Sequence, residues 1–287
     1  MSRPTALVTG AGRGVGFASV LRLLEAGWRV AAGVRDVARA REEYGEREGL
    51  LIVPLDVSDR HQVPEAVAAA EAFAGGALAC LVNNAGYALL AAQEDGDLDD
   101  ARRMFETNLW GAAACVQAAL PAMREAGAGV VVNVSSIGDR LVNPLLGFYH
   151  ASKYAMGALS EALAQEAGHF GVRVVLIEPG MVDTDFPKAT RLSGSVSTFE
   201  GPYADLLTGI RGGFGAWREM SGTTGDDVAR AVVRAATDPS TPFRLPVGGD
   251  AEHLDRLMRD AADDEAWQAA HRRFLRLDWD PRPARTP

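Results

Sequence analysis

Residues 149–153 read Tyr-His-Ala-Ser-Lys, which sets a phenol and an ammonium four positions apart. On a helix that spacing puts Tyr149 and Lys153 on one face, about a turn from each other. An unperturbed phenol titrates at about 10, so it is a poor proton donor or acceptor at neutral pH. A neighbouring ammonium favours the phenolate and brings the group toward acid–base use. A lone Tyr-x-x-x-Lys is common on helix surfaces, so the pair gains meaning only from its company. Asn133-Val-Ser-Ser136 precedes it, closing an apolar run. A hydroxyl there could bond an oxygen on which charge develops. Ser135 and Ser136 could equally cap a turn.

A second group of residues suits a phosphate. Residues 9–16 read Thr-Gly-Ala-Gly-Arg-Gly-Val-Gly, directly after the run Ala6-Leu7-Val8 and at the start of a helical pattern. Glycine allows a tight turn and lets a pyrophosphate approach the backbone at a helix N-terminus, where free N–H groups favour negative charge. Strand before and helix after make the signal much more specific than the glycines alone.

These groups need a frame. Short aliphatic runs at residues 6–8, 28–34, 50–55, 78–82, 130–134 and 172–177 alternate with helix-length stretches at about 15–26, 36–47, 60–74, 98–126 and 148–170. Continuous apolar runs suit strands buried on both faces, as in a parallel sheet with helices on each side. The expected fold is α/β, a Rossmann-type doubly wound parallel sheet, forming a single domain over residues 1–287. Pro121 should kink the fourth helical stretch, because it lacks a backbone donor. Residues 183–222 break the rhythm, rich in Gly, Ser and Thr yet holding large apolar residues such as Phe186, Phe199, Phe214 and Trp217. Such a segment, outside the regular rhythm, is either a substrate lid or a poorly ordered loop, and its large apolar residues favour the lid. A helix at 225–237, a strand at 243–247 and a C-terminal extension at 250–287 follow. The last ten residues, with three prolines, should be extended or frayed.

Composition narrows the partners. With 47% hydrophobic and 23% charged residues the chain is a packed protein, not a disordered one. Its net charge of −9 lacks the basic footprint that nucleic acid demands. Two cysteines cannot build a disulfide framework, and Cys80 and Cys115 read as small buried hydrophobes. The five histidines show no metal-ligand spacing, and His150 should point away from the face of Tyr149. No metal is expected. No apolar stretch is long enough to span a bilayer. A cytoplasmic protein without a membrane partner is the expectation.

The glycine spacing, Thr9-Gly10-x-x-x-Gly14-x-Gly16, resembles that of the short-chain dehydrogenase/reductase family. The tetrapeptide Asn83-Asn-Ala-Gly86, the Ser136–Tyr149–Lys153 order and Pro179-Gly-x-x-x-Thr184-like segment are similar to family motifs. The resemblance runs over roughly residues 5–185. It implies that Ser136, rather than Ser135, orients the reacting oxygen, that Tyr149 exchanges its proton, and that Lys153 tunes Tyr149. It also implies that Asn108 supports a proton relay through Lys153, although its amide could instead satisfy a neighbouring backbone. The implied cofactor contacts are Gly10, Arg13, Gly14, Val15 and Gly16 in the turn, then Arg35, Asp56 and Val57 near the adenosine. Asn83, Ala85 and Gly86 follow, with Tyr149 and Lys153 at the ribose and Pro179, Gly180, Val182 and Thr184 at the nicotinamide. Gly12 departs from the family, many of whose members carry a hydroxyl there, so the turn should have fewer side-chain bonds.

Arg13 and Arg35 suit a dianionic 2′-phosphate. NADP(H) is therefore expected over NAD(H), although Asp36 could still reach a ribose. The implied activity is hydride transfer between nicotinamide and the carbonyl or secondary alcohol of a bulky, largely apolar small molecule. The alternative is a non-catalytic NADP(H) sensor. Glu178-Pro-Gly, the long lid and Pro246-Val-Gly-Gly resemble the 17β-hydroxysteroid-dehydrogenase-like bacterial branch. Ala-rich helices at 98–126 and 148–170 resemble paired interface helices, which implies a homodimer or homotetramer.

Overall fold

A computed structural model describes residues 3–184 and 186–275. The proline-rich end expected to be extended or frayed lies outside the described residues. Seven parallel strands form one sheet: β1 (Thr5–Thr9), β2 (Arg29–Val34), β3 (Leu50–Pro54), β4 (Cys80–Asn83), β5 (Gly129–Val134), β6 (Val172–Pro179) and β7 (Arg244–Val247). Their spatial order is β7-β6-β5-β4-β1-β2-β3. Val8 sits beside Ala32 on one side and Val82 on the other. The order reverses between β1 and β4, and that switch point opens a crevice at the carboxyl ends of the strands.

Strand alternation divides the core. Ala6, Val8, Val30, Ala32 and Val82 face one layer, where they pack with Val20 and Leu23 of α1 (Gly14–Glu25). Leu7, Ala31, Leu81 and Val131 face the other, against residues of α3 (62–74) and α5 (111–126), such as Val67 and Met123. Both faces are apolar because both are covered, which is why the strands read as continuous hydrophobic runs. Between α1 and α3 lies α2 (Val37–Tyr44), and between α3 and α5 lies α4 (Leu98–Phe105). The helix α6 (Gly147–Gly168) follows β5.

The stretch 98–126 is interrupted at a π-helical turn, Glu106–Trp110, which carries Asn108. Helix α5 continues through Pro121 to Ala126.

The segment after β6 differs from the sequence expectation. It contains an 18-residue helix, α7 (Ala204–Ser221). Its buried residues Leu207, Ile210 and Trp217 lie at helical spacing and pack inward. A two-residue bridge joins Val182–Asp183 to Thr223–Thr224, so the segment leaves and returns at one point. A second bridge ties Arg191–Leu192 to Leu89–Leu90. Then come α8 (Gly225–Thr237), begun by a Thr224–Asp227 capping box, and α9 (Gly249–Asp260) and α10 (Asp264–Phe274). No helix among the described residues is long and apolar enough to cross a membrane.

Candidate active site

The glycine turn leaves β1 with Gly10 at φ +65° and Gly14 at φ +55°. A Cβ on Gly10 would lie 2.8 Å from the Ala85 Cα, and one on Gly16 would lie 2.4 Å from the Gly10 carbonyl oxygen. Only glycine fits these two places. Thr9 and Asn84 lock the turn to the end of β4. The Thr9 hydroxyl accepts from the Asn84 and Ala85 amides at 3.0 and 3.1 Å, and the Asn84 side chain donates to the Thr9 carbonyl at 3.0 Å.

The bond thought missing at Gly12 has a substitute. The buried Tyr44 donates its hydroxyl to the Ala11 carbonyl at 2.6 Å, and its ring stacks on Phe17 with centroids 4.6 Å apart. Burial raises the Tyr44 pKa, so it remains a donor.

A cleft of about 1540 Å³ runs from this turn across the sheet edge to the lid. Gly10, Arg13, Gly14, Val15, Arg35, Asp56, Val57, Ala85 and Gly86 line one half. Ser136, Tyr149, Lys153, Pro179, Gly180, Val182 and Thr184 line the middle. Three predicted residues stand off the wall. Gly16 lies behind the turn, where its missing side chain allows close packing. Asn83 points into the sheet, because neighbouring strand residues face opposite sides. Its amide donates to the Asn133 Oδ1 at 2.9 Å, tying β4 to β5, while Asn84 takes the place on the cleft. Asn108 is fully buried: its Oδ1 accepts from the Tyr87 amide at 3.0 Å and its Nδ2 donates to the Tyr87 carbonyl at 2.9 Å. These bonds hold the strand exit in place, and Nδ2 also donates to the Ser152 hydroxyl at 3.1 Å.

Tyr149 and Lys153 emerge on the inner face of α6, as the i, i+4 spacing requires. The Lys153 ammonium lies 6.0 Å from the centroid of the Tyr149 ring and donates to the Val134 carbonyl at 3.1 Å. Tyr149 is pushed up to about 12 by burial, with its hydrogen bond to Ser136 acting the other way. Burial brings Lys153 down to about 8, opposed by the negative charge of Asp139. The sequence predicts that the ammonium lowers the phenol; in the protein the phenol is instead raised, chiefly by desolvation. Ser136 is the serine aimed at Tyr149. Its Oγ accepts from the Gly138 amide at 3.0 Å, whereas the Ser135 hydroxyl turns away and donates to Asp139 at 2.9 Å.

Sequence reasoning missed two features here. His150 does not leave the site: it lines the cleft, 5.6 Å from the Tyr149 ring between centroids, with Nδ1 at 2.8 Å from the Gly138 carbonyl. Burial lowers it to about 4, so it is a neutral wall residue. Behind Ser135 lie two buried carboxyls, Asp139 and Glu178. Arg244 donates to Glu178 at 2.5 Å and Arg140 at 3.2 Å. Burial and the adjoining Glu178 charge raise the Asp139 pKa.

At the adenosine end, Asp36 is engaged as the cap of α2, its Oδ1 accepting from the Arg39 amide at 3.0 Å. Arg13 and Arg35 are exposed on the cleft rim. At the other end Asp250, fully buried in α9, holds the lid. One of its oxygens accepts from the Met181 amide at 2.6 Å and from the Trp217 indole at 2.5 Å. The Ser221 hydroxyl lies 2.9 Å from the other. Gly180 is required beside it, since a Cβ there would meet the carboxylate at 2.1 Å.

A parallel sheet with a glycine turn at its switch point and a Tyr–Lys–Ser group on the same crevice defines the Rossmann-type oxidoreductase class. The short chain dehydrogenase model matches residues 4–193, and the chain belongs to that family of oxidoreductases. It is 35% identical over 271 residues to oxidoreductase BOA17 of Botryotinia fuckeliana, covering 91% of this chain and 95% of that one. A short-chain dehydrogenase from Streptomyces avermitilis has the same fold, with a TM-score of 0.78 and 32% identity over 94% of this chain and 98% of that one. One from Burkholderia cenocepacia, in complex with NADP, gives a TM-score of 0.73 and 26% identity over 96% and 98%.

Proposed function

We propose that this chain is an NADP(H)-dependent ketoreductase acting on the carbonyl, or in reverse the secondary alcohol, of a bulky and largely apolar small molecule. The observation that carries the reading is the Tyr149 phenol beside Ser136 on the wall of the cleft that begins at the glycine turn. The residues present fit a dinucleotide: a cradle that Cβ atoms would fill, free arginines at one end, and acid–base groups at the other. When bound, the cofactor supplies the hydride. Tyr149 donates its proton to the carbonyl oxygen, and Ser136 holds that oxygen in line. Lys153 places its positive charge near the phenol and stabilises the negative charge left on it. Asn108 is a positioning residue that fixes Tyr87 and Gly86 beneath Lys153; a Cβ on Gly86 would stand 3.1 Å from Asn108 Oδ1 and 3.8 Å from Lys153 Nζ.

NADP(H) is favoured over NAD(H) because Asp36 already caps α2, while Arg13 and Arg35 offer guanidiniums to a 2′-phosphate. The NADP-bound relative supports the same choice. Residues 183–222 form the lid of one domain spanning 1–287; of the C-terminal extension, 250–287, Asp250 steadies that lid. Glu178-Pro-Gly, this lid and Pro246-Val-Gly-Gly support a place in the 17β-hydroxysteroid-dehydrogenase-like branch. Trp110, Tyr154 and Leu159 are large apolar residues left exposed on the π turn and α6, and they support self-association through those elements.

The test mixes protein with NADPH or NADH and a panel of ketones while cofactor absorbance is followed. Turnover with NADPH is expected, and Tyr149→Phe should bind NADPH yet lose turnover. Tight NADPH binding with no turnover of any ketone would favour the sensor reading.

A further inference from the structure

The lid helix α7 turns one stripe toward the cleft. Leu207, Arg211, Phe214 and Arg218 are spaced four, three and four residues apart, and all four line it. That period keeps side chains on one helical face. Two apolar residues and two guanidiniums therefore face the cleft that Tyr149 also lines.

The arginines are not there to satisfy acids. Neither Arg211 nor Arg218 forms an ion pair among the described residues. The Arg211 guanidinium instead lies over the Phe199 ring, 4.9 Å from its centroid. Arg191 joins them on the wall, 5.1 Å over the Tyr87 ring, with Asp100 3.8 Å away. Stacking on a ring holds a guanidinium in place while its N–H edge stays open for an oxyanion. Among the described residues the acids that line the cleft are Asp36, Asp56 and Glu106, and none of these three lies on the lid. In a chain with a net charge of −9, a lid that gathers open guanidiniums over an apolar pocket is a specific departure.

We propose that the lid arginines Arg211 and Arg218, assisted by Arg191, recognise an anionic terminus of the substrate, whose apolar body lies between Leu207, Phe214 and Trp217 and whose carbonyl meets Tyr149. The substrate class is an oxo compound with an acidic group remote from the reacting carbonyl. This rests on the ketoreductase reading and narrows it.

The test compares straight-chain oxo acids with their methyl esters, varying the number of carbons between the carbonyl and the carboxyl, with saturating NADPH. Esterification removes the charge and keeps the chain. The acid is expected to exceed its ester in kcat/KM by on the order of tenfold at the best chain length, mainly through KM. The advantage should shrink as ionic strength rises. In the Arg211→Gln, Arg218→Gln double variant the acid-to-ester ratio should fall toward one. Esters turned over as well as acids at every length would overturn this inference and leave the ketoreductase reading standing. A weakened NADPH affinity in the double variant with an unchanged acid-to-ester ratio would also overturn it, because the arginines would then serve the cofactor phosphates. No turnover of either series would overturn this inference, and no turnover of the ketone panel besides would overturn both.

Discussion

The Tyr44 hydroxyl and the Ala11 carbonyl are joined by a 2.6 Å hydrogen bond across 33 residues of sequence. It connects α2 to the centre of the glycine turn, and Ala11 has no exposed surface. In Tyr44→Phe the carbonyl keeps its burial and loses its donor, at a cost of about 1–2 kcal/mol. We expect NADPH affinity to fall roughly five- to thirtyfold, with kcat at saturating cofactor little changed. Titration of NADPH fluorescence against both proteins measures it.

The rim arginines should set the choice of nucleotide. Replacing Arg35 by Glu puts a carboxylate where a 2′-phosphate would sit and keeps Arg13. The preference for NADPH over NADH in kcat/KM should drop by about 10- to 100-fold, the worth of a charge-assisted bond plus a new repulsion. Steady-state kinetics with both nucleotides would show it. An unaltered preference would remove Arg35 from the phosphate site.

Activity should fall on the alkaline side through Lys153. Burial holds this amine at about 8, so its ammonium is present below that pH and lost above it. Tyr149, pushed up to about 12, stays protonated through the same range. For carbonyl reduction kcat/KM should therefore be flat near neutrality and decline above about pH 8. A decline appearing only near 10.5, the ordinary lysine value, would mean that cofactor binding restores the ammonium.

Acid stability should follow the buried histidines. His150 and His271 are each lowered by burial from 6.5 to about 4. The unfolded chain then binds more protons than the folded one between those values, so each costs stability as the pH falls through that window. His271→Leu removes one such group, which stacks on Trp267 with centroids 5.0 Å apart and has an unpartnered Nε2. Relative to the parent protein the variant should gain on the order of 2 kcal/mol on going from pH 7 to pH 5. Urea midpoints at the two pH values give the comparison.

Asp250 should matter to both folding and catalysis. Asp250→Ala leaves the Met181 amide and the Trp217 indole without their acceptor in a buried place. A loss of roughly 2–4 kcal/mol in stability is expected. KM for the ketone should rise more than kcat falls, because the lid loosens while Tyr149 and Lys153 stay on α6. Urea unfolding and steady-state kinetics separate the two effects.

Much of this was legible in the sequence. Strands buried on both faces leave uninterrupted aliphatic runs, and the Tyr149–Lys153 and glycine spacings are local. Features that depend on distant partners were not visible. Nothing near Tyr44 indicates that it reaches Ala11, and nothing near Asp250 points to Met181, 69 residues away. Asn83 and Asn84 look alike in sequence, but strand alternation sends one into the sheet and the other to the cleft. The lid helix was hidden by Gly209, Gly212, Gly213 and Gly215, which weaken helix propensity. Its signal was nevertheless present in the spacing of Leu207, Ile210, Phe214 and Trp217. Tertiary packing, not propensity, makes that segment helical.

The Asp250 anchor also constrains how such a protein can be re-engineered. A chimera that imports a foreign lid between the two bridge strands would bring a new indole and hydroxyl to an old carboxylate, or none at all. Lid and tail helix form one transplantable module, split in sequence by α8 and β7, and specificity should transfer intact only when both pieces travel together.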